Sequence, residues 1–288
     1  MGYIISILNN DLKKDDNGIY VLASDMGEDV MLSKKAWEKI YDYDMEDMIR
    51  DREDFDKNKL ADHTKYISKY FNFTKESIYL EVGCGPSHIG EYVMREHDSY
   101  FIGIDFNYPM LLTLKKYLDY KGYTKYLLIC ADINRMPLKS NSVDFVYGGG
   151  VIEHFSDTDH ILKEIYRVLK VGGVSFNTVP AFNLWWLTKF YNNIPALPVL
   201  KTIFELVHLK LFKGKILVRY SGYELSFTRG LFRQLHERNN FSEVKITSFA
   251  FHPSSYVLRI RFLRELYFKV QKMFYITAIY LGVGIKKA

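Results

Sequence analysis

Two glycines after an apolar run are the first residues whose spacing suggests chemistry. Glu81, Gly83 and Gly85 stand in EVGCG, directly after the apolar residues IYL. Glycine permits a tight turn and lets the backbone come close to a ligand, and the amino end of a following helix favours an anion. A dinucleotide-binding loop has a third small residue where His88 stands, so the motif disfavours NAD. We expect a ligand-binding turn with a carboxylate beside it.

Two aspartates follow later apolar runs at similar places. Asp105 lies 22 residues after Gly83. An ionised carboxylate offers only acceptors, so it can take both hydroxyls of a ribose. The alternative is an N-cap, because Asp105 and Asn107 precede a helical pattern; after the glycine loop we favour the ribose. Asp132 ends a third run, where it either accepts from an exocyclic amine or forms a turn.

A run of three glycines precedes the pair Glu153-His154. Gly148–Gly150 end an apolar run, and because glycine weakens a strand, we expect that the backbone must be bare there. His154 has an ordinary pKa of about 6.5, which suits a general base. The alternative is that His154 hydrogen-bonds its own loop and shapes a pocket.

Helices and strands must alternate to bring these residues together. The apolar patterning predicts strands at 77–82, 99–105, 126–132, 142–148 and 174–179, and helices at 34–41, 59–71, 88–95, 109–120 and 159–169. The last helix is expected to stop at Gly172-Gly173. This alternation indicates βαβ units and a parallel sheet that helices cover on both faces.

The segments around this core divide the chain into four predicted parts. Residues 1–58 form a leader with helices and a short strand within 18–24, and residues 59–180 form the core. Residues 181–227 are long, aromatic and basic, and we interpret them as a cap inserted over the strand ends, where open α/β sheets bind ligands. Residues 228–288 return to the core. Their patterning predicts a helix and turn at 227–241, a strand at 243–249, a basic amphipathic helix at 257–273 and a strand at 275–285.

Taken together, the four motifs resemble the class I S-adenosylmethionine-dependent methyltransferases. The resemblance is narrower to the small-molecule and ubiquinone-biosynthesis-like branch with a methyltransferase type 11-like domain. It lies in IYLEVGCGPSHIG, FIGIDFNYPMLLTLKK, LICADINRMPLKSNSVDFVYGGGVIEHF and HILKEIYRVLKVGGVSFNTVP, and it covers residues 60–180 and, more loosely, 226–288. It implies an α/β, Rossmann-like fold: a seven-stranded, mostly parallel sheet with a terminal antiparallel hairpin, helices on both faces and a helical cap.

The resemblance implies S-adenosylmethionine as the cofactor and assigns residues to its methionine end. Glu81 and Gly83 would border the methionine amino group, Gly85 would lie against the nucleoside, and Gly149 would lie near the methionine portion. Ser87 stands where the family has a third glycine, and we expect it to cap the following helix.

For the nucleoside, the resemblance assigns residues from two further strand ends. Asp105 would hold the ribose hydroxyls, and Phe106 would pack near the adenine. Asp132 would contact the adenine amine and Ile133 the adenine ring.

Metal binding is not expected. Some ubiquinone-pathway relatives have an acidic metal ligand where this chain has Gly150, and the leader lacks the paired cysteines of some relatives. Tyr41 and Tyr43 either close over the cofactor, as N-terminal helices of the family do, or pack between helices, which we favour.

Composition restricts the compartment and the partners. The chain of 288 residues has two cysteines, no CxxC pattern and no signal-peptide pattern, so we expect a cytoplasmic protein without a transmembrane helix. Residues 181–288 are basic, with 17 Lys or Arg and five Asp or Glu, whereas residues 1–60 are acidic, with nine Lys or Arg and 15 Asp or Glu. The basic aromatic part of the cap consists of Trp185, Trp186, Lys189, Tyr191, Lys213, Lys215 and Arg219.

We therefore expect methyl transfer to an oxygen, nitrogen or carbon nucleophile of a small molecule. The basic aromatic cap suits an anionic or lipid-like substrate, and a peripheral membrane contact or a nucleic-acid contact. It is equally consistent with an ordinary hydrophobic lid and a solvated basic face. The alternatives are an RNA (tRNA) methyltransferase and an inactive, methyltransferase-like binding subunit. The intact glycine and aspartate motifs disfavour inactivity. The sequence does not indicate an oligomeric state.

Overall fold

A computed structural model describes residues 2–9, 12–22, 28–188, 193–215, 217, 222–249 and 278–287. Within them, nine strands form one sheet in the order β1-β2-β5-β4-β3-β6-β7-β11-β10, and β8 and β9 form a second, two-stranded sheet. The strands are β1 Lys13–Lys14, β2 Tyr20–Val21, β3 Ile78–Val82, β4 Tyr100–Asp105, β5 Tyr126–Cys130, β6 Val143–Gly149, β7 Leu169–Pro180, β8 Ile194–Pro195, β9 Leu225–Ser226, β10 Phe241–Ser248 and β11 Ile279–Lys286.

The large sheet is parallel from β2 to β7 and antiparallel at both ends. The mostly parallel Rossmann-like sheet and its terminal hairpin, β10–β11, are thus confirmed. The expected count of seven strands is short by two, because β1 and β2 of the N-terminal leader extend the sheet beyond β5. Strand β2 lies within the short strand predicted at 18–24, whereas β1, which has only two residues, was not predicted.

Helices cover both faces of the sheet, as expected. They are α1 Gly2–Ile5, α2 Glu28–Ile40, α3 Met45–Asn58, α4 Leu60–Tyr70, α5 His88–His97, α6 Tyr108–Tyr120, α7 Thr158–Val168, α8 Pro198–Glu205 and α9 Arg229–Arg238. Buried residues of α1, α7 and α9 share one apolar cluster with Leu80 and Val82 of β3, and those of α3 to α6 share a second cluster with Tyr79. The two clusters follow the alternation of side chains along a strand.

One local prediction is wrong, and one helix was missed. The helix predicted at 159–169 ends at Val168 rather than at Gly172-Gly173, because those glycines lie inside β7 at an irregularity of its pairing with β6. Gly172 has φ +83°, a conformation that suits such a bulge. Helix α3 was not predicted as a separate element, although Asp44 and Asp47 form a reciprocal capping box at its start.

Among its described residues, the cap is partly helical. It contains short turns at Leu184–Thr188 and Leu206–Leu211, the latter of π type, together with β8, α8 and β9. Lys201 of α8 donates to the carbonyl of Ser156 in the loop after β6, at 2.6 Å. The cap therefore lies against that loop.

Several predicted features fall outside the described residues. These are the helix predicted at 257–273, and Lys189, Tyr191 and Arg219 of the cap; the side chain of Trp185 is not described either. Among the residues that are described, no helix has the length and apolar character needed to cross a bilayer.

Candidate functional site

A cleft opens at the carboxyl ends of β3, β4, β5 and β6. It contains about 700 Å³ of space outside protein atoms, part of it open to solvent. Its lining consists of Ser33, Trp37, Tyr41, Gly83, Asp105, Phe106, Asn107, Ile133, Gly149, Gly150, Val151, His154 and Phe155. Six of the nine residues singled out from the sequence are in this lining, and Glu81, Gly85 and Asp132 are not.

The glycine loop after β3 contains three residues with left-handed backbone conformation. Gly83, Gly85 and Ser87 have φ of +58°, +44° and +51°. A Cβ on Gly83 would lie 2.8 Å from the Val151 side chain, so only glycine fits there. Ser87 does not cap α5 as expected; its hydroxyl instead donates to Glu81 at 2.8 Å.

Glu81 lies behind the loop and fixes its shape. Its Oε2 accepts from the Ser87 hydroxyl, from the Gly90 amide at 3.1 Å and from the Tyr79 hydroxyl at 3.1 Å. Burial raises the pKa of Glu81 to about 7, against these hydrogen bonds, which lower it. The predicted contact of Glu81 with a methionine amino group stays a prediction.

Arg52 of α3 holds the same loop from the outside. Its buried guanidinium donates to the Pro86 carbonyl, to the Ser87 carbonyl at 3.5 Å and to Glu91 at 2.5 Å. It also lies over the Tyr117 ring, 4.2 Å from the centroid. The N-terminal helices are therefore part of the site, which the sequence patterning did not indicate.

Asp105 joins the loops after β3 and β4. Its Oδ2 accepts from the Gly85 amide and its Oδ1 from the Asn107 amide, both at 2.8 Å. The N-cap of α6 is Asn107, which accepts from the Met110 amide, so the N-cap alternative for Asp105 is wrong. Each carboxylate oxygen has a further lone pair, and Asp105 lines the cleft. Burial raises the pKa of Asp105, against the amide hydrogen bonds.

At the end of β5, the neighbours Asp132 and Ile133 differ in position. Asp132 caps the short turn Ile133–Arg135, and its Oδ1 accepts from both the backbone and the side-chain nitrogen of Asn134 at 2.9 Å. Asp132 therefore forms a turn, which was the second of the two interpretations of this residue. Ile133 and Phe106 present apolar surface to the cleft, and their predicted contacts with adenine stay predictions.

The three glycines at the end of β6 lack side chains for different reasons. A Cβ on Gly148 would lie 2.4 Å from Oδ1 of Asn177, and one on Gly149 would lie 2.5 Å from the Tyr147 ring. Protein atoms thus take up part of the room that these glycines leave. Gly149 and Gly150 line the cleft, and Gly150 turns the chain with φ +73°.

His154 is buried at the cleft wall and is oriented by the cap. Its Nδ1 lies 2.6 Å from the Tyr223 carbonyl, and since a carbonyl only accepts, Nδ1 donates and Nε2 carries the lone pair of the neutral ring. Burial lowers the pKa of His154, while Glu224 and the carbonyls of Tyr223 and Gly150 oppose this. The imidazole is therefore neutral at pH 7.

Next to His154, the Glu153 carboxyl is buried. Burial, together with the charge of Glu224, holds the pKa of Glu153 well above its ordinary value. Burial thus disfavours the charged form of both side chains of the pair Glu153-His154.

An aromatic wall from α2 and the turn after it closes the cleft, and sequence reasoning missed most of it. The rings of Trp37 and Tyr41 stack at 5.4 Å, and Trp37 meets His154 edge-on at 5.4 Å. A Cβ on Gly85 would lie 3.5 Å from the Tyr41 ring. Tyr41 therefore covers the glycine loop, although we favoured packing between helices; Tyr43 does pack on Tyr41. The spacing of four residues between Trp37 and Tyr41 was the available signal.

Two polar atoms in the cleft lining need a partner. The Ser33 hydroxyl and Asn107 Nδ2 are buried, and neither has a hydrogen-bond partner among the residues that the structure describes. Because an unpaired buried polar atom is costly, these atoms fit a ligand that carries hydroxyls and ring nitrogens.

For metals, the described part of the chain contains no group of three or more His, Cys, Asp or Glu that could hold an ion.

Comparisons with known proteins agree with this architecture. Residues 80–176 match the model of a family described as "Methyltransferase domain". A sterol 24-C-methyltransferase of Aspergillus fumigatus is 28% identical over 135 residues, which are 46% of this chain and 34% of that protein. A malonyl-[acyl-carrier protein] O-methyltransferase of Hamiltonella defensa is 26% identical over 125 residues, 43% of this chain and 46% of that protein. The matches thus span less than half of these relatives.

Among solved structures, phosphoethanolamine N-methyltransferase 2 of Haemonchus contortus in complex with S-adenosyl-L-methionine has a similar fold. Its TM-score is 0.60 at 14% identity, covering 89% of this chain and 60% of that chain.

Proposed function

We propose that this chain, whose core is a class I S-adenosylmethionine-dependent methyltransferase domain, transfers a methyl group to an oxygen, nitrogen or carbon nucleophile of a small molecule. The observation that carries the proposal is the convergence of four strand ends on one cleft. Gly83, Asp105, Ile133 and Gly149 come from β3, β4, β5 and β6 or the turns after them, and all four line it.

The cleft fits the cofactor by the chemistry of its groups. Asp105 has acceptor capacity left for ribose hydroxyls, and Ser33 and Asn107 contribute the unpaired hydroxyl and amide described above. Phe106 and Ile133 provide apolar surface for a flat base. We infer that these residues hold the adenosine part, with the methionine part towards Gly83 and Gly149.

In this mechanism the chain mainly positions the reactants. The bound cofactor supplies a methyl group on a sulfonium, ready for in-line displacement, so placing the nucleophile accounts for much of the rate. Trp37, Tyr41 and Phe155 line the cleft and reduce access of water to it.

We assign His154 the role of general base when the nucleophile arrives protonated. Its neutral ring keeps the Nε2 lone pair, and the Nδ1 hydrogen bond to Tyr223 fixes the ring. We expect His154→Gln to keep a hydrogen bond to Tyr223 through its amide and to bind the cofactor normally, while kcat falls about 100-fold or more. An unchanged kcat and pH profile would show that His154 only shapes the loop.

The relatives motivate the substrate class. Their names state methyl transfer to a sterol carbon, to malonyl-[acyl-carrier protein] and, for the solved structure, to phosphoethanolamine. Together with the basic cap, this favours a small anionic or lipid-like substrate for this chain. The two cysteines, which are free, motivate a cytoplasmic location.

The proposal is tested by calorimetry with S-adenosylmethionine, followed by transfer of tritiated methyl groups to fractionated cell extract. We expect one binding site and label in the organic-soluble or small-molecule fraction. A folded protein that binds no S-adenosylmethionine would favour the inactive binding subunit. Label in the RNA fraction would favour a tRNA methyltransferase.

A further inference from the structure

An apolar stripe on the cap is exposed to solvent. It consists of Val199, Ile203, Leu206, Leu211 and Phe212, whose exposed fractions range from 48% to 73%. Val199, Ile203 and Leu206 are spaced by four and three residues along α8 and into the turn that follows, so they lie on one side of it. Single exposed apolar residues are ordinary, but five of them within one short segment indicate an interaction surface.

The opposite side of the same segment is packed against the cap and the site. Phe204 meets the Trp186 ring at 5.5 Å, and His208 is buried. Glu205 accepts from the Tyr223 hydroxyl at 2.6 Å, and the carbonyl of Tyr223 accepts from His154. The segment is therefore amphipathic, and its inner side is two hydrogen bonds away from the cleft wall.

Positive charge accompanies the stripe at one end. Lys210, Lys213 and Lys215 are all exposed and lie within ten residues of Leu206. The neighbouring Glu205 carboxylate faces inward to Tyr223 and lies 3.8 Å from Lys201. The outer side thus presents aliphatic side chains next to lysines.

We propose that this stripe with its three lysines docks the protein on an anionic lipid bilayer. Aliphatic side chains enter the boundary between headgroups and acyl chains, and adjacent lysines are attracted to anionic headgroups. Single-stranded RNA would instead be bound by exposed aromatic rings and arginines, whereas this stripe is mainly aliphatic. The idea that docking delivers a lipid-like substrate to the cleft rests on the proposed function; the docking itself does not.

The experiment is vesicle flotation with the full chain. Vesicles of phosphatidylcholine alone are compared with vesicles that contain about 30% phosphatidylserine, and we expect at least about tenfold stronger binding to the latter. Two double variants test the two parts of the surface: I203Q with L206Q, and K210E with K213E. Each is expected to lower binding to anionic vesicles at least about tenfold.

Matched controls use exposed residues on other surfaces. Y120Q with V171Q removes apolar side chains that are 73% and 59% exposed, and K65E with K116E reverses two exposed lysines. Both controls should bind vesicles like the wild type. All variants are checked for unchanged thermal midpoints and for unchanged affinity for S-adenosylmethionine without vesicles.

Three results would overturn docking on lipid. They are no binding of the wild type to anionic vesicles, equal losses in the test and control variants, and retention of RNA that depends on Lys210 and Lys213 but not on Ile203 and Leu206. Failure to bind S-adenosylmethionine, with vesicle binding intact, would refute the proposed function and leave the docking surface standing.

Discussion

Replacing Asp105 with asparagine tests the assignment of the ribose. In the wild type each carboxylate oxygen accepts one backbone amide, from Gly85 or from Asn107, and keeps a lone pair for a ribose hydroxyl. In Asp105→Asn one oxygen becomes an amino group, which cannot accept and which faces a backbone donor. The variant therefore loses one charge-assisted acceptor towards the ligand.

The size of the effect follows from this geometry. A hydrogen bond to a charged group contributes about 1.5–3 kcal/mol, which corresponds to an affinity loss of about 10- to 150-fold. The loss of the acceptor for Gly85 or Asn107 also lowers the free energy of unfolding by about 1 kcal/mol. We expect a folded variant whose dissociation constant for S-adenosylhomocysteine rises by that factor.

Calorimetry with two ligands isolates the contact. S-adenosylhomocysteine and its 2′-deoxy analogue are titrated into the wild type and into Asp105→Asn. If Asp105 holds the hydroxyl, loss of that hydroxyl weakens binding to the wild type and has little further effect on the variant. Asp157→Asn, at the N-cap of α7, is the matched control and should bind both ligands like the wild type. Equal penalties for the deoxy analogue in wild type and Asp105→Asn would refute the reasoning.

Three further predictions concern the loop and the aromatic wall. Burial raises the pKa of Glu81 from 4.5 to about 7, so its contribution to stability is fully present below pH 4.5 and is lost as the pH rises through 7. In urea unfolding, the free energy of unfolding of Glu81→Gln should therefore rise relative to that of the wild type by up to about 3 kcal/mol between pH 5 and pH 8. A difference between the two proteins that does not change with pH would contradict a raised pKa of the buried carboxyl. Gly83→Ala should lower both the unfolding midpoint and the cofactor affinity, because the new Cβ would meet Val151. The control is Gly122→Ala, at φ +77° with no atom within 4 Å of the new Cβ, which should lower the free energy of unfolding by about 1 kcal/mol and leave the cofactor affinity unchanged. Equal cofactor affinities of the two variants would argue against the clash. In calorimetry, Trp37→Ala should weaken cofactor binding about tenfold, whereas Trp186→Ala, in the cap, should not. A larger loss of cofactor affinity in Trp186→Ala than in Trp37→Ala would contradict a contact between Trp37 and the cofactor.

The sequence predicted what local periodicity determines. The strands β3 to β7 and the glycine loop follow from alternating apolar residues and from the turn that Gly83 requires. The position of Asp105 at a strand end indicated a ligand contact and the resemblance added Ile133; both residues line the cleft.

Contacts between distant segments could not be predicted in this way. The partner of His154 is the carbonyl of Tyr223, 69 residues later, and Arg52 reaches the loop at Pro86 from a helix that precedes the core. Such pairs depend on how the cap and the N-terminal helices pack, and helix periodicity gives the buried side of a helix but not its neighbour. The same limit explains why Trp37 was missed and why closure of Tyr41 over the cofactor was not the favoured alternative.

A crystal structure with S-adenosylhomocysteine bound tests the central claim most directly. The account predicts the ribose hydroxyls within hydrogen-bond distance of the Asp105 carboxylate, the adenine between Phe106 and Ile133, and the homocysteine part beside Gly83 and Gly149. A ligand bound elsewhere, or bound in this cleft with its ribose away from Asp105, would contradict it.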